Sequence, residues 1–221
     1  MISVLIPAYN AGRTLASLLE KLCLYVPREA ILVVDDGSED ETGAVAQRAG
    51  VKVIRHQKNE GKGAALRTGL EFLKGRGSAI EAVVTMDADL QHRPEDLPKI
   101  LAGWKQTHAN VVVGWRKRWG TAMPIERKFS NSITSWLVSA RTRQRILDSQ
   151  CGYRLIEWGV LEQVDITAKG FEAETEFLIK AASHGLSIAW VPIQTVYDNA
   201  KSSMTGWETT KRFLQTLLKD H

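Results

Sequence analysis

Residues 3–6, 31–34, 51–54, 82–86 and 111–113 are short apolar, mostly β-branched runs, and between them leucines recur at helical spacing. This alternation constrains the chain more than any other feature. Leu15, Leu18, Leu19 and Leu22 share one helical face after Asn10-Ala11-Gly12, and Leu66, Leu70 and Leu73 repeat the pattern after Gly61-Lys62-Gly63. Strands that are apolar on both faces need covering on both, and parallel neighbours need a crossover helix. The pattern therefore predicts an α/β fold with a mostly parallel central sheet in a Rossmann-like, nucleotide-binding architecture. Ligands of such sheets collect at the carboxyl ends of the strands.

Past about residue 115 the alternation loosens into a basic loop, an amphipathic helix over 125–147, a short strand, a Glu-rich helix and a strand ending near Val196. A chain of 221 residues can bury a sizeable core, so a single domain over 1–221 is expected, with halves 1–115 and 116–221. A composition of 44% hydrophobic and 24% charged residues excludes disordered, collagen-like and coiled-coil classes. With 29 basic against 25 acidic side chains the net charge is +4, which suits anionic ligands without implying nucleic acid. The two cysteines, Cys23 and Cys151, form neither a disulfide framework nor a metal-ligand spacing, and they point to a reducing, cytoplasmic setting. The opening strand lacks a basic leader, and the charge-free stretch 181–197 is interrupted by His184, Gly185, Pro192 and Gln194, so neither export nor a spanning helix is expected.

Polar clusters sit at the strand ends. Asp87-Ala88-Asp89 offers two carboxylates on one side of an extended turn, with Gln91 just beyond, and such oxygen donors suit a hard cation, Mg²⁺ or Mn²⁺, that bridges a diphosphate. In Asp35-Asp36-Gly37-Ser38, Ser38 is expected to cap a helix starting near Glu39, and Asp36 to accept hydrogen bonds from a base or ribose. Gly61-Lys62-Gly63 fails the phosphate-loop spacing, because His56 and Gly63 stand where Gly and Ser or Thr are needed. Lys62 could still hold a phosphate at a helix start. No Gly-x-Gly-x-x-Gly follows the first strand, so a nicotinamide fingerprint is absent. His56 and His92 read as polar surface without assigned chemistry.

Trp115-Arg116-Lys117-Arg118-Trp119 is a basic loop at a strand end, and Arg127 and Lys128 open the helix beyond it. On that helix Phe129, Ile133, Trp136, Leu137 and Ala140 form an apolar stripe, followed by Arg141, Arg143 and Arg145. Two readings stand side by side: a stripe packed into the core, or a helix lying on an anionic membrane surface.

The succession Val4-Leu5-Ile6-Pro7-Ala8-Tyr9-Asn10, Val33-Val34-Asp35-Asp36-Gly37-Ser38, Asn59-Glu60-Gly61-Lys62-Gly63 and Met86-Asp87-Ala88-Asp89-Leu90-Gln91-His92 resembles the family 2 glycosyltransferases. Within them it is similar to the branch of dolichol-phosphate mannose synthase and its bacterial polyprenyl-phosphate relatives. Gly114-Trp115-Arg116, residues 148–155 and 171–176, and Val191-Pro192-Ile193 extend the likeness over nearly the whole chain.

The resemblance implies a nucleotide-diphospho-sugar transferase fold, with donor binding in the first half and acceptor binding in the second. It assigns the donor to Pro7, Ala8, Tyr9, Asn10, Asp36, Lys62, Asp87, Ala88 and Asp89, the metal to Asp87, Asp89 and Gln91, and the acceptor phosphate to Arg116, Arg127 and Lys201. Asp89, Arg116, Arg127 and Glu174 are the implied catalytic residues, with Glu176 beside Glu174 beneath the sugar. The family's terminal Arg, Gly, Ser-Lys pattern departs here to Tyr197-Asp198-Asn199-Ala200-Lys201-Ser202-Ser203, which leaves the donor sugar open between mannose and glucose types. The implied reaction is inverting, in-line transfer of a hexose to a polyprenyl phosphate by an enzyme on the cytoplasmic membrane face, attached peripherally or through a membrane-embedded partner subunit. The alternatives are a sugar-hydroxyl acceptor, with Glu174 as base, and a non-catalytic sugar-nucleotide-binding subunit.

Overall fold

The computed structural model describes residues 1–76, 80–116, 125–194 and 215–217, and of 125–128 the backbone alone. Strands β1 (Ile2–Ala8), β2 (Ile31–Asp35), β3 (Lys52–Arg55), β4 (Ala82–Thr85), β5 (Val111–Arg116), β6 (Arg154–Glu157) and β7 (Ile188–Ile193) form a seven-stranded sheet in the order β3-β2-β1-β4-β6-β5-β7. Helices α1 (Gly12–Leu22), α2 (Thr42–Arg48), α3 (Lys62–Lys74), α4 (Leu97–Thr107), α5 (Ile125–Thr142), α6 (Trp158–Gln163) and α7 (Ala173–Ser183) accompany it. The expected leucine faces of α1 and α3 are buried. Val4, Leu5, Ile6, Val33, Val34, Val83, Val84 and Val111 to Val113 are sealed from solvent, as strands covered on both faces must be.

One strand breaks the parallel pattern. β6 runs antiparallel to both β4 and β5, with Arg154 opposite Thr85 on one side and Val113 on the other. Because it runs backwards, the loop that precedes it, residues 148–153, arrives at the carboxyl ends of β4 and β5. That reversal brings second-half residues to the edge of the sheet where β4 and β5 end.

Several boundaries differ from the sequence reading. α2 starts at Thr42, and Ser38 is not its cap: the Ser38 hydroxyl accepts from Asn10 N at 2.9 Å. α5 stops at Thr142 rather than Leu147, because Arg143 adopts φ 54, a left-handed conformation that ends a helix. Ile146 N then donates back to Ser139 Oγ at 2.9 Å. β7 ends at Ile193, short of Val196, which lies outside the described residues.

α5 is amphipathic in the reverse sense to a helix packed on a core. Asn131, Ser135 and Val138 are buried, and Ser135 Oγ accepts from Ser149 N at 3.2 Å. Phe129, Ile133 and Trp136 face outward, 59, 56 and 67% exposed. Leu137 packs against the core, so the core reading holds for that residue and not for the stripe. Ala140, Arg141, Arg143 and Arg145 are exposed at the far end. No helix among the described residues is long and apolar enough to cross a membrane.

Candidate active site

The loops after β1 and β2 are laced together at the sheet's edge. Besides its bond to Ser38, Asn10 accepts from Glu39 N at 2.9 Å, and it sits at φ 50. Ala11 N donates to Thr42 Oγ1 at 2.7 Å and Gly12 N to Asp40 Oδ2 at 2.9 Å, so one carboxylate serves the starts of both α1 and α2. Burial pushes the Asp40 carboxyl up, but these hydrogen bonds outweigh it and hold it below its ordinary value. Pro7 and Ala8 are buried beneath, while Tyr9 and Asn10 are exposed at the rim.

Asp36 is turned inward. Its Oδ1 accepts from Glu60 N at 3.0 Å and faces His56 Nδ1 at 2.7 Å, and its Oδ2 accepts from Gly61 N at 2.8 Å. The carboxylate thus builds the 59–61 loop. His56 is no surface residue either: its Nε2 meets Thr68 Oγ1 at 2.9 Å, so the ring braces β3's exit against α3. Gly61 needs to be glycine, since its φ is 99 and a Cβ would stand 2.3 Å from the Lys169 carbonyl oxygen.

That loop delivers Lys62 to the centre of the site. Its ammonium is ion-paired to both Asp87 Oδ1, just past β4, and Glu174 Oε1, in the first turn of α7. A cation at the start of α3 opposes the helix dipole, and the two carboxylates offset this. Gly152 makes the approach possible, because a Cβ there would lie 2.8 Å from Asp87 Oδ1 and from Glu174 Oε1. Burial is the largest single influence and raises the Asp87 carboxyl, but its polar and charged neighbours, Lys62 foremost, together outweigh it and hold it at about 2. Glu174 shifts upward: it is 5% exposed, and burial with the nearby Asp87 charge outweighs Lys62. Burial acts downward on Lys62, yet Asp87 and Glu174 raise it, so the ammonium stays charged.

Further residues complete the surroundings, and to Arg154, His92 and Cys151 among them sequence reasoning gave no role. Arg154 is buried and spends its guanidinium on backbone oxygens, those of Cys151 at 2.8 Å, Glu174 at 2.7 Å and Ser149 at 3.1 Å. His92, expected at the surface, is buried between Asp87 and Cys151, with Nδ1 3.6 Å from Asp87 Oδ2 and Nε2 3.7 Å from Cys151 Sγ. Burial lowers its pKa more than Asp87 raises it, which favours the neutral ring. Burial also pushes the Cys151 thiol up to about 12. Arg116 is gripped by the buried Asp148 through two bonds, Nε to Oδ2 at 2.7 Å and Nη2 to Oδ1 at 2.8 Å. Glu176 is taken up by the loop before α7, accepting from Thr167 N at 2.9 Å and Ala168 N at 2.8 Å. The side chains of Lys117, Arg118, Arg127, Lys128 and Lys201 lie outside the described residues.

The expected cation ligands differ in setting. Asp89 is exposed, with Oδ1 accepting from Gln91 N at 3.0 Å, and the turn between them is held by Leu90 at φ 61, a strained value for a leucine. The Ala88 carbonyl accepts from Thr14 Oγ1 at 2.6 Å, pinning the turn to α1. Among the described residues no group of three Asp, Glu, His or Cys side chains could cage an ion. An exposed carboxylate, an ionised half-buried one and a carboxamide do fit a hard cation that takes the rest of its shell from water and phosphate.

These features have counterparts elsewhere. The Glycosyl transferase family 2 pattern matches residues 3–156. The polyprenol monophosphomannose synthase of Mycolicibacterium smegmatis is 31% identical over 92% of this chain and 80% of its own length. The UDP-N-acetylglucosamine–dolichyl-phosphate N-acetylglucosaminyltransferase of Methanococcus voltae is 30% identical over 89% of this chain and 86% of its own. Glucosyl-3-phosphoglycerate synthase of Mycobacterium tuberculosis, solved with Mn²⁺, UDP and glucosyl-3-phosphoglycerate, superposes with a TM-score of 0.80 at 22% identity, covering 99% of this chain and 78% of that one. The seven-stranded architecture is thus the nucleotide-diphospho-sugar transferase fold, and the chain belongs to glycosyl transferase family 2, on the branch of dolichol-phosphate mannose synthase and its relatives.

Proposed function

We propose that this glycosyltransferase moves a hexosyl group from a nucleotide diphosphate sugar to a polyprenyl phosphate by one inverting, in-line displacement. The observation that carries the acceptor assignment is the outward apolar face of α5 beside a basic strand end. Ser135 on the inner face of α5 holds Ser149, and the neighbouring Asp148 grips Arg116, so the helix and the arginine are mechanically joined. A lipid lying against Phe129, Ile133 and Trp136 would bring its phosphate toward that end of β5. Arg116, with Arg127 and Lys201, is assigned to that phosphate. The names of both curated relatives specify a polyprenyl or dolichyl acceptor, which supports the same reading.

A phosphate monoester, with a second pKa of about 6, is already largely ionised at pH 7 and needs no base to attack. Tyr9, Asn10 and the buried Pro7 and Ala8 form the donor's edge of the site, with Asp36 shaping it through the 59–61 loop. Asp89, with Asp87 and Gln91, would hold Mg²⁺ or Mn²⁺, which supplies charge neutralisation on the departing diphosphate. Relatives of this fold crystallised with Mn²⁺ or Mg²⁺ and UDP support a divalent ion. The upward shift of Glu174 favours a second reading, a hydroxyl acceptor with Glu174 as base. Its burial and its pairing with Lys62 count against that role.

Purified protein given labelled GDP-mannose, UDP-glucose or UDP-N-acetylglucosamine with Mn²⁺ should label undecaprenyl phosphate, and mild acid should release the sugar. Label in an acid-stable glycoside, formed only with saccharide acceptors, would overturn the assignment.

A further inference from the structure

The sheet's edge holds a protein cation where a metal is expected to work. We propose that Lys62 is a built-in counter-cation that makes divalent-metal binding at Asp87 and Asp89 conditional on the donor's diphosphate. The inference rests on the reading of those carboxylates as metal ligands, and it adds an order of assembly.

Lys62 cannot withdraw easily. Its ammonium bridges Asp87 and Glu174, lies 5.7 Å over the Phe171 ring, and is only 14% exposed. The backbone beneath it is fixed as well, for Gly63 N donates to the Lys169 carbonyl at 2.7 Å and Gly61 N to Asp36. A divalent ion arriving alone would find Asp87 already neutralised by Lys62 and would itself be repelled by that fixed positive charge. A diphosphate entering with the ion reverses the balance, since its negative charge faces both cations. Metal and sugar nucleotide therefore bind together, and the empty site keeps its carboxylates folded around lysine. Among the described residues the Lys62 ammonium pairs with two carboxylates, and with three N–H donors it can also serve the donor's phosphate.

The test is Mn²⁺ binding followed by the electron-paramagnetic signal of the free ion, with the full chain, alone and with UDP or GDP. Wild type should bind Mn²⁺ weakly by itself and much more tightly with nucleotide. Lys62→Met should tighten binding of Mn²⁺ alone by about tenfold or more and shrink the gain from nucleotide. The double variant Lys62→Met with Glu174→Gln removes the residual repulsion between carboxylates and should behave alike, which guards against a misfolded single variant. Wild type that binds Mn²⁺ with nucleotide, and variants that bind the lone ion no better, would overturn the Lys62 inference and leave the metal reading standing. A wild type that binds no Mn²⁺ even with UDP or GDP would overturn both. Variants that lose only nucleotide affinity would mark Lys62 as a plain phosphate ligand and refute the counter-cation role.

Discussion

Gly152 has no room for a side chain, because both carboxylates paired with Lys62 crowd its α-carbon. Gly152→Ala should therefore push Asp87 and Glu174 apart, costing about 1–3 kcal/mol of stability and most of the turnover, as urea unfolding and transfer assays would show. Asp89→Ala should behave in the opposite way. An exposed carboxylate contributes little to folding, so the melting temperature should hold while transfer drops about 100-fold or more. Wild-type turnover by that variant would remove Asp89 from the chemistry. Asp87 carries a pH dependence with a definite sign. Its folded value of about 2 lies below its ordinary 3.8, so its contribution is present above about pH 4 and is lost as the pH falls toward 2. Asp87→Asn should lower stability at neutral pH by about 2 kcal/mol and flatten the acid-unfolding profile across that window. At this scale, while the part of Asp87, Asp89 and Gln91 in holding an ion is a proposal, their grouping past β4 was legible because they are close in sequence. Asp36 and His92 were not, since what surrounds them comes from residues 56–61 and from 151, far off in sequence and brought in by the fold.

Helices α1 and α3 were legible because each presents a leucine face at helical spacing, and both bury the residues expected of them. The direction of β6 was not. Arg154–Glu157 offers too few residues for a local pattern to say which way the strand runs, and only its pairing with β4 and β5 fixes it. For α5 the period was legible but the side facing the protein was not, because the polar inner face is satisfied by the 146–149 turn. Its exposed face makes a prediction. The wild-type protein should float with anionic vesicles, less so at high salt, as arginine attraction to headgroups is screened. Phe129→Ser with Trp136→Ser should abolish flotation while shifting the melting temperature by no more than about 2 °C, because neither side chain packs inside. Equal binding to neutral vesicles regardless of salt, or no binding to either kind, would leave a membrane-embedded partner subunit as the anchor.

At the scale of the molecule, the donor can be sorted by ligand-linked stability. A panel of GDP- and UDP-sugars with Mn²⁺ should single out one nucleotide by its thermal shift, since a ligand at a hundredfold excess over its Kd adds about 2.7 kcal/mol. Equal shifts from all of them would mean that the site reads the diphosphate and not the base. The sheet also has a consequence for the order in which this protein can come into being. Among the described residues β5 pairs only with β6 and β7, both of which follow it in the chain, and β6 alone joins β5 to β4. The division near residue 115 thus separates expected roles, and the two halves are not expected to fold apart. A chain on the ribosome that has reached Arg116 holds Val111, Val112 and Val113 with nothing to pair against, and an open apolar edge on β4. Until residue 157 has emerged it depends on whatever shields that edge, and a fragment of residues 1–116 made alone should be captured by chaperones or proteases rather than persist as a nucleotide-binding half.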